Sequence, residues 1–303
     1  MSIKNKIVKV SLIITTYERP KNLNRLLEEL NTLSETPDEI IVVFRDNDKE
    51  TEKILNDFSD KKFKKIKISE PGVIKALNKG LKNASCEIVC TIDDDAIPSK
   101  DWIKKIKKHF EDPNIGAVGG IDIQPDYNGK KVDKVGRITF YGRIIGNHHL
   151  GCAEIQEVDH LKGVNMCYRK NLINEINENL LGLAPPGFEL IFGFHVKNKG
   201  YKILYDPELI VFHYPGKTYD GRRGEKTKKD YFVYAHNYTY ILYKYLKGLR
   251  KLLFILYTFI IGDSSSPSIV RIIFKPLLFK YFLTAIYWKY MGIKKYLKDK
   301  KFI

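Results

Sequence analysis

In the first 110 residues, apolar positions follow two alternating periodicities. Short runs of apolar and β-branched residues, typical of buried parallel strands, alternate with stretches in which apolar residues recur at helical spacing. The predicted strands cover residues 8–16, 39–44, 65–68 and 86–92. The predicted helices cover residues 20–33, 49–58, 74–81 and 99–110. Strands alternating with helices predict an open α/β sheet, in which ligands bind beyond the carboxyl ends of the strands.

The pattern loosens in the middle of the chain. Gly and Asp residues punctuate residues 116–160, which indicates loops and short strands that form the second half of a cleft. Residues 165–176 show a helical pattern, and residues 201–213 favour a strand, a turn and a second strand. The charged residues 220–229, with Gly221 and Gly224, are either a linker or a mobile lid. The composition then changes, which predicts a domain boundary near residue 230.

From residue 231 onward, aromatic and aliphatic residues are mixed with lysine and arginine. The strongest apolar run, residues 252–262, has about half the length of a membrane span, and no run of about 20 uncharged apolar residues occurs. Basic residues beside apolar faces favour helices that lie in an anionic membrane interface. The alternative is a helical lobe that packs on the catalytic domain, with some Tyr and Leu residues in an oligomer contact.

Composition limits the classes of binding partner and the cellular compartment that we expect for the protein. The formal net charge of +16 implies an anionic partner: nucleic acid, an acidic membrane surface or a phosphorylated substrate. None of the four cysteines forms a CxxC pair, so we expect reduced core thiols in a cytosolic protein. The N-terminal residues are polar and argue against a secretory leader. These features predict a cytoplasmic protein that is peripheral at the cytoplasmic face of the cell membrane.

Three consecutive carboxylates, Asp93-Asp94-Asp95, directly follow the predicted strand at residues 86–92. Like charges at this density raise one another's pKa unless a cation lies among them. A hard divalent ion, Mn²⁺ or Mg²⁺, would relieve the repulsion and hold the phosphates of a nucleotide diphosphate. A solvated acidic turn that caps the next helix is the alternative. The position at the end of a buried strand favours the metal site.

Six segments, in this order, resemble the inverting family 2 glycosyltransferases of the GT-A fold. They are residues 10–20 (VSLIITTYERP), 39–43 (EIIVV), 71–81 (PGVIKALNKGL), 91–98 (TIDDDAIP), 162–169 (KGVNMCYR) and 200–207 (GYKILYDP, with His213 downstream). The resemblance implies a Rossmann-like mixed sheet flanked by helices. The six segments cover about residues 8–215. Together with the change of composition near residue 230, they predict a catalytic domain at residues 1–230, with a nucleotide-binding half at 1–95 and an acceptor half at 96–230. Residues 231–303 would then be a helical, membrane-associated segment.

The resemblance also implies the chemistry: metal-dependent, inverting transfer of a sugar from a nucleotide-diphosphate donor to a hydroxyl of a glycan or polyprenyl-linked acceptor. The implied donor contacts are Thr16, Tyr17, Glu18, Arg19, Asp46, Asp48, Asn78, Asp93 and Asp94. The implied ligands of Mn²⁺ or Mg²⁺ are Asp93, Asp95 and His213, with a buried structural role as the alternative for His213. Gly163, Asn165 and Arg169 would lie on the acceptor side. Glu189, about a dozen positions before Gly200, would be the general base.

The chain departs from the family pattern at three places. The usual acidic turn after the second strand is replaced by Phe44-Arg45-Asp46-Asn47-Asp48, so either Asp46 or Asp48 would contact the base or ribose. The usual Glu-Asp pair is Phe188-Glu189, which leaves one carboxylate. The Arg expected shortly before Gly200 is His195. The acceptor half is therefore less well defined than the donor half.

Two other functions fit parts of the sequence. A sugar nucleotidyltransferase also uses an α/β sheet and acidic metal ligands, but it needs a Gly-rich phosphate loop near the N-terminus, and residues 15–19 (TTYER) are not one. A basic nucleic-acid-binding protein would fit the net charge. The basic residues are dispersed, however, and no known binding module is present, so we expect no nucleic-acid partner.

Overall fold

The computed structural model of the chain describes residues 8–58, 61–176, 179–215 and 228–300. Within this part of the chain, the residues divide into two compact units. The first contains residues 8–58, 61–136, 146–176 and 192–215. The second contains residues 137–145, 179–191 and 228–300. The predicted lid or linker at residues 220–229 lies almost entirely outside the described residues, and the predicted boundary near residue 230 stays a prediction.

The first unit is built on a mixed sheet. Its strands are β1 (Val10–Thr15), β2 (Glu39–Arg45), β3 (Phe63–Ile68), β4 (Ile88–Asp93), β5 (Ala96–Pro98) and β6 (Ile115–Ile123), with β9 (Gln156–Glu157), β10 (Met166–Arg169) and β11 (Lys202–His213) later in the chain. A two-stranded hairpin, β7 (Arg137–Ile138) and β8 (Ile144–Ile145), belongs to the second unit.

The strand order in the sheet is β3-β2-β1-β4-β10-β6-β11-β5, with β9 beside β11. Strands β1 to β4 run parallel to one another, and β10 is antiparallel to both of its neighbours, β4 and β6. Strand β6 therefore runs in the same direction as β4, and β11 pairs parallel with β6. The carboxyl ends of β1, β4, β6 and β11 consequently lie at the same edge of the sheet.

The helices of the two units are α1 (Pro20–Leu30), α2 (Lys49–Asn56), α3 (Val73–Asn83), α4 (Trp102–His109), α5 (Phe188–Asn198), α6 (Lys228–Tyr245), α7 (Gly248–Leu256), α8 (Ile269–Phe274) and α9 (Phe279–Asp299). A π-helical turn, Tyr257–Ile261, continues α7. Helices α1 to α4 connect strands of the sheet, and α5 spans the division between the units.

The first 110 residues fold as the apolar pattern predicts. Every predicted strand and helix of this stretch is present, with ends that differ from the prediction by at most three residues. Strand β1 is buried on both faces because one set of its side chains packs on α1 and α4, while Ile13 lies against Gly80 of α3. A continuous apolar run, without polar alternation, is the signature of such a doubly covered strand.

Three predictions for the middle of the chain are wrong. Residues 166–169 form strand β10 rather than a helix, and residues 115–123, expected as loops and short strands, form the long buried strand β6. Residues 202–213 form one strand, and the turn expected inside it is a shift of register between Asp206 and Val211. Short apolar runs are compatible with either a strand or a buried helix. Pairing with β4 and β6 makes residues 166–169 a strand.

In the second unit, α6 and α9 pack closely along their length. Gly292 of α9 permits this approach, because a Cβ there would lie 2.6 Å from the carbonyl oxygen of His236 on α6. Stacked rings line the same contact: Tyr231 on Tyr281 and Phe232 on Trp288. The aromatic residues of this segment thus pack largely against each other. In the described part of the chain, no helix has the length and apolarity that crossing a membrane requires.

Lys289 of α9 is fully buried in the second unit. Its Nζ lies within hydrogen-bonding distance of the carbonyl oxygens of Thr258 (2.7 Å), Ser266 (2.9 Å) and Pro267 (3.2 Å) and of the hydroxyl of Ser268 (2.5 Å). Burial lowers the pKa of Lys289 to about 7. The lysine ties α9 to the π-helical turn and to the loop that leads into α8.

Candidate active site

Four polar side chains meet where parallel strands of the sheet end. Thr16 follows β1, Asp93 ends β4, Asp122 lies one residue before the end of β6, and His213 ends β11. Because these strands run in the same direction, their carboxyl ends bring together residues that are up to 197 positions apart in the chain. This edge is the place where open α/β sheets bind ligands.

Asp93, Asp95 and His213 form the centre of the site. One ligand atom from each lies within 4.8 Å of the other two. The Nε2 of His213 is 3.3 Å from Oδ1 of Asp95 and 4.0 Å from Oδ2 of Asp93. Two carboxylates and one imidazole are ligand types suited to a divalent cation, and Asp93, with half of its side chain exposed, leaves the site open to solvent. These three residues could hold such an ion.

The crowded carboxylates have unusual pKa values. The pKa of Asp93 is raised because its half-exposed carboxylate is partly desolvated in the site and lies near the charge of Asp95. Burial raises the pKa of Asp94 to about 6, against the lowering effect of Arg19 and of a hydrogen bond from Thr16. Groups that resist ionisation in this way mark a place where positive charge is in deficit.

Arg19, at the start of α1, supplies part of that positive charge. Its Nη1 lies 2.9 Å from Oδ1 of Asp94 and 3.1 Å from Oδ2 of Asp95. The hydroxyl of Thr16 donates to the other oxygen of Asp94 at 2.7 Å. The loop between β1 and α1 is thereby joined to the acidic turn after β4, and the middle carboxylate of the triplet is fully engaged within the protein.

Asp122 orients the imidazole of His213, a role that the sequence pattern did not predict. Its Oδ2 lies 3.5 Å from Nδ1 of His213 and also accepts hydrogen bonds from Lys162 and Gln124. Despite burial, the hydrogen bond from His213 and the charge of Lys162 lower the pKa of Asp122 to about 2. A carboxylate that accepts a hydrogen bond from one nitrogen of a histidine ring fixes the direction in which the other ring nitrogen points, as in many metal sites. The available signal was an Asp at the end of an apolar run, the same signal that identified Asp93.

The same surroundings act on His213. Burial opposes its charged form, but the hydrogen bonds to Asp122 and Asp95 and the charge of Asp93 raise the pKa of His213 to about 9. The imidazole is therefore protonated at neutral pH in the absence of a cation. A bound divalent ion would take the place of that proton, because a metal-ligating imidazole must be neutral.

Asp48 stabilises the conformation of the loop from Thr16 to Arg19. Glu18 has a φ of 53°, the left-handed region that disfavours side chains, and its backbone N–H donates to Oδ2 of Asp48 at 2.6 Å. The same carboxylate caps α2 through the backbone N–H and hydroxyl of Thr51. Tyr17 accepts a hydrogen bond from Asn47 at 3.3 Å. The buried Asp48 thus has local partners, whereas Asp46 is exposed to solvent.

Most of the other predicted binding residues have partners within the protein. Asn78 exchanges two hydrogen bonds with the backbone of Ile176, and the carbonyl of Gly163 accepts from the hydroxyl of Thr91. Arg169 donates to carbonyl oxygens at the end of α4 and at Ile115. These contacts join neighbouring elements, and the predicted donor and acceptor roles of the three residues stay predictions.

Asn165 is buried, with 1% of its surface exposed. Its side-chain oxygen accepts from the indole of Trp102 at 3.0 Å, and its amide donates to the carbonyl oxygens of Ile121 and Leu209. The side chain thus links α4, β6 and β11 behind the site. The acceptor role that the resemblance implies for Asn165 is untested.

Glu189 is a half-buried residue in the first turn of α5 and belongs to the second unit, whereas Asp93, Asp95 and His213 belong to the first. An acidic residue is favourable at a helix N-terminus for local electrostatic reasons alone. Its predicted function as a general base is therefore an expectation from the resemblance and requires a direct test.

Comparison with known proteins identifies relatives by sequence. The profile named "Glycosyl transferase family 2" matches residues 11–176. The glucosyl-dolichyl phosphate glucuronosyltransferase of Haloferax volcanii is 26% identical over 175 residues, which are 56% of this chain and 55% of the relative. The dolichol-phosphate mannosyltransferase of Pyrococcus furiosus is 24% identical over 208 residues, which are 66% of this chain and 56% of the relative. The chain thus spans about half the length of these curated relatives.

Solved structures extend the comparison to the fold. S. aureus TarS residues 1–349 in complex with UDP-GlcNAc superpose with a TM-score of 0.62 at 15% identity, covering 95% of this chain and 89% of TarS 1–349. GalNAc-T7 with UDP, GalNAc and Mn²⁺ gives a TM-score of 0.59 at 14% identity, covering 91% of this chain and 58% of that one. The predicted GT-A fold, a mixed sheet flanked by helices, is confirmed.

Proposed function

Because the chain belongs to glycosyl transferase family 2, we propose that it transfers a sugar from a nucleoside-diphosphate donor to an acceptor hydroxyl. The observation that carries the proposal is the convergence of Asp93, Asp95 and His213 at the carboxyl edge of the sheet. Two of the fold neighbours are described in complex with a uridine nucleotide, one of them with Mn²⁺ as well. Neither alternative function, nucleotidyl transfer or nucleic-acid binding, has comparable support.

In the donor half, we assign the metal-binding role to Asp93, Asp95 and His213, with Mn²⁺ favoured over Mg²⁺ because one ligand is a nitrogen. A bound divalent ion would neutralise charge on the departing diphosphate. Asp122 fixes the imidazole of His213, and Arg19 balances Asp94 and Asp95. Asp46 is the better candidate for the base or ribose contact, because Asp48 already holds Glu18 and Thr51.

In the acceptor half, we propose that Glu189 takes the proton from the acceptor hydroxyl as that oxygen attacks the anomeric carbon from the face opposite the diphosphate, which inverts the configuration. A general base acts through its carboxylate, so the matching amide should bind the donor and fail in transfer. We expect Glu189→Gln to bind nucleotide and metal normally while transfer falls at least about 100-fold. Near-normal transfer by this variant, in an assay that saturates both substrates, would refute the assignment.

We further propose that the acceptor is lipid-linked and that the protein works as a peripheral protein at the cytoplasmic face of a membrane. Two curated relatives are named for dolichyl-phosphate substrates. Residues 231–303 hold 13 Lys and Arg against two Asp, a balance that favours an anionic surface.

The donor proposal is tested by thermal unfolding of the full chain with nucleoside diphosphates, each with and without Mn²⁺ or Mg²⁺. Ligand at about 100 times its Kd adds about 2.7 kcal/mol to stability, which raises the unfolding temperature by a few degrees. We expect one nucleotide to stabilise the protein only when metal is present. Asp95→Asn should lose this metal-dependent part, whereas Glu208→Gln, which alters an exposed carboxylate, should keep it. Equal shifts in both variants, or no shift with any nucleotide, would exclude the proposed donor site.

A further inference from the structure

The second unit contains a groove with a volume of about 330 Å³ that has no role in the proposed reaction. Its apolar wall consists of four aliphatic side chains from α7 and the π-helical turn, and its polar lining consists of Arg143, Arg271, Tyr141 and Tyr257. The rings of Tyr141 and Tyr257 are 5.0 Å apart. The groove is thus lined both by aliphatic side chains and by guanidinium and phenol groups.

In the described part of the chain, two donor atoms of these polar side chains lack a partner, whereas Nη2 of Arg271 donates to the carbonyl oxygen of Gly262 at 3.3 Å. Within the residues that the structure describes, the hydroxyl of Tyr257 and the Nε of Arg271 are buried and form no hydrogen bond. Tyr257 is only 7% exposed, and burial raises its pKa to about 12, so its hydroxyl is a donor at neutral pH. Buried donors without acceptors are costly, and native proteins keep few of them. The groove therefore offers two donors to an acceptor that is not among the described residues.

The donors identify the kind of acceptor. Guanidinium groups match the oxygens of phosphate in geometry and charge, and a phenol adds a further hydrogen bond. The carboxylate of Asp263, the acid whose charge acts on Tyr257, already accepts hydrogen bonds from the backbone N–H groups of Ser265 and Ser266, each at 2.8 Å. The groove therefore favours a phosphate-bearing anion whose remainder is apolar.

The surface beside the groove indicates where such a molecule comes from. Leu249, Leu252 and Leu256 recur at the spacing of one helix face on α7, and they are 60%, 54% and 47% exposed. Ile260 and Ile261, which also line the groove, are 45% and 42% exposed. An exposed aliphatic face that adjoins a cationic groove is complementary to the boundary between the headgroups and chains of a lipid layer.

We propose that this groove binds the phosphate headgroup of a membrane lipid. The guanidinium groups of Arg143 and Arg271 and the hydroxyl of Tyr257 contact the phosphate, and the aliphatic wall contacts the first carbons of the chains. The proposed site is formed only by residues of the second unit and shares no residue with the donor-metal site. It goes beyond sugar transfer, because lipid binding here would anchor the protein whatever the acceptor is.

The test is isothermal titration of the full chain with dihexanoyl phosphatidic acid below its micelle concentration. Inorganic phosphate and dihexanoylglycerol serve as headgroup-only and chain-only probes. We expect phosphatidic acid to bind at least about tenfold more tightly than either, because it alone offers both a phosphate for the guanidinium and phenol groups and apolar carbons for the aliphatic side chains. Equal affinity for inorganic phosphate would show a free-anion site, and equal affinity for dihexanoylglycerol an apolar site; either result would overturn the proposal.

Substitutions of the hydrogen-bond donors test whether phosphatidic acid binds in this groove. Tyr257→Phe should weaken phosphatidic acid about tenfold while the thermal midpoint stays the same or rises, since the hydroxyl has no partner to lose. Arg271→Gln should weaken it further. Lys280→Gln removes one positive charge from an exposed position on α9 and should leave the affinity unchanged. Unaltered binding by both Tyr257→Phe and Arg271→Gln, or an equal loss in Lys280→Gln, would overturn the assignment, and neither outcome depends on transferase activity.

Discussion

Arg19 shows how one residue can serve both the fold and the site. Its guanidinium contacts Asp94 and Asp95, two buried carboxylates that repel each other and their neighbour Asp93. The β1–α1 loop that carries Arg19 is in turn held in a left-handed turn at Glu18 by Asp48. A small set of charged side chains therefore sets the shape of this part of the carboxyl edge of the sheet.

Replacing Arg19 with Gln should destabilise the metal-free protein by about 2 kcal/mol. A fully buried pair loses about 3–5 kcal/mol when one partner is removed, and the 23% exposure of Arg19 reduces that figure. The measurement is urea unfolding in the presence of a chelator. Arg25→Gln is the control, because Arg25 is exposed on the same helix and contacts only the face of Tyr214 among the interactions described for it. A similar loss in both variants would contradict the role given to Arg19.

His148 should make stability fall at acidic pH. It is buried, and burial followed by the charge of His160 lowers its pKa to about 3, against about 6.5 in the unfolded chain. Between these values the unfolded chain binds a proton that the folded protein does not, so stability decreases by about 1.4 kcal/mol per pH unit as pH falls. We expect His148→Gln to reduce the pH dependence of the free energy of unfolding between pH 6 and pH 4 by the contribution of one bound proton. His149→Gln, at the exposed neighbour, should leave the slope unchanged, and identical slopes in all three proteins would rule out this assignment.

At the scale of elements, β6 and β11 are the pair that sequence patterns describe least well. Strand β6 contains three glycines, at positions 116, 119 and 120, and Gly120 is the one that lies against the backbone of β11. A Cβ at Gly120 would lie 2.1 Å from the carbonyl oxygen of Leu209 and 2.5 Å from that of Asp206. This crowding coincides with the shift of register between Asp206 and Val211. The glycines that suggest loops in the sequence lie instead in a buried strand, where Gly120 is required by the close approach of two backbones.

Gly120→Ala should therefore destabilise the protein by about 3 kcal/mol, because backbone atoms must move to admit the methyl group. Gly146→Ala is the matched control: among the described residues, nothing lies within 4 Å of a Cβ at that position. Chemical denaturation compares the two variants with the parent chain. If Gly120→Ala were as stable as Gly146→Ala, the described packing of β6 on β11 would be incorrect.

At the scale of the whole molecule, charge and apolar exposure are unevenly distributed. Residues 231–303 carry 13 Lys and Arg and only two Asp, so they account for most of the net charge of +16. The same segment contains many of the exposed large apolar side chains, among them Phe274, Leu277 and Leu283 at 79%, 88% and 75%. Exposed apolar surface of this extent commonly marks an interaction site.

We expect the full chain to sediment with vesicles that contain anionic phospholipid and to remain in solution with neutral vesicles. Binding should weaken when salt rises from about 0.1 M to about 1 M, because the Debye length falls from about 10 Å to about 3 Å. The double variant Leu252→Gln and Leu256→Gln should lose most binding, since both side chains belong to the exposed face of α7. Leu183→Gln, at another exposed leucine of the second unit, should not. Salt-independent binding that is equal in all variants would contradict the interfacial role.

The sequence by itself determined the strands and helices of the first 110 residues, the family resemblance and the acidic triplet, because these features depend on local apolar periodicity and on consecutive residues. Only the tertiary structure decided that residues 166–169 form a strand, since that strand exists through pairing on both sides. It also decided that Asp122 orients His213, because parallel strands bring their ends together regardless of distance along the chain. The tertiary structure also distinguished Asp48, which is buried and has local partners, from Asp46, which is exposed.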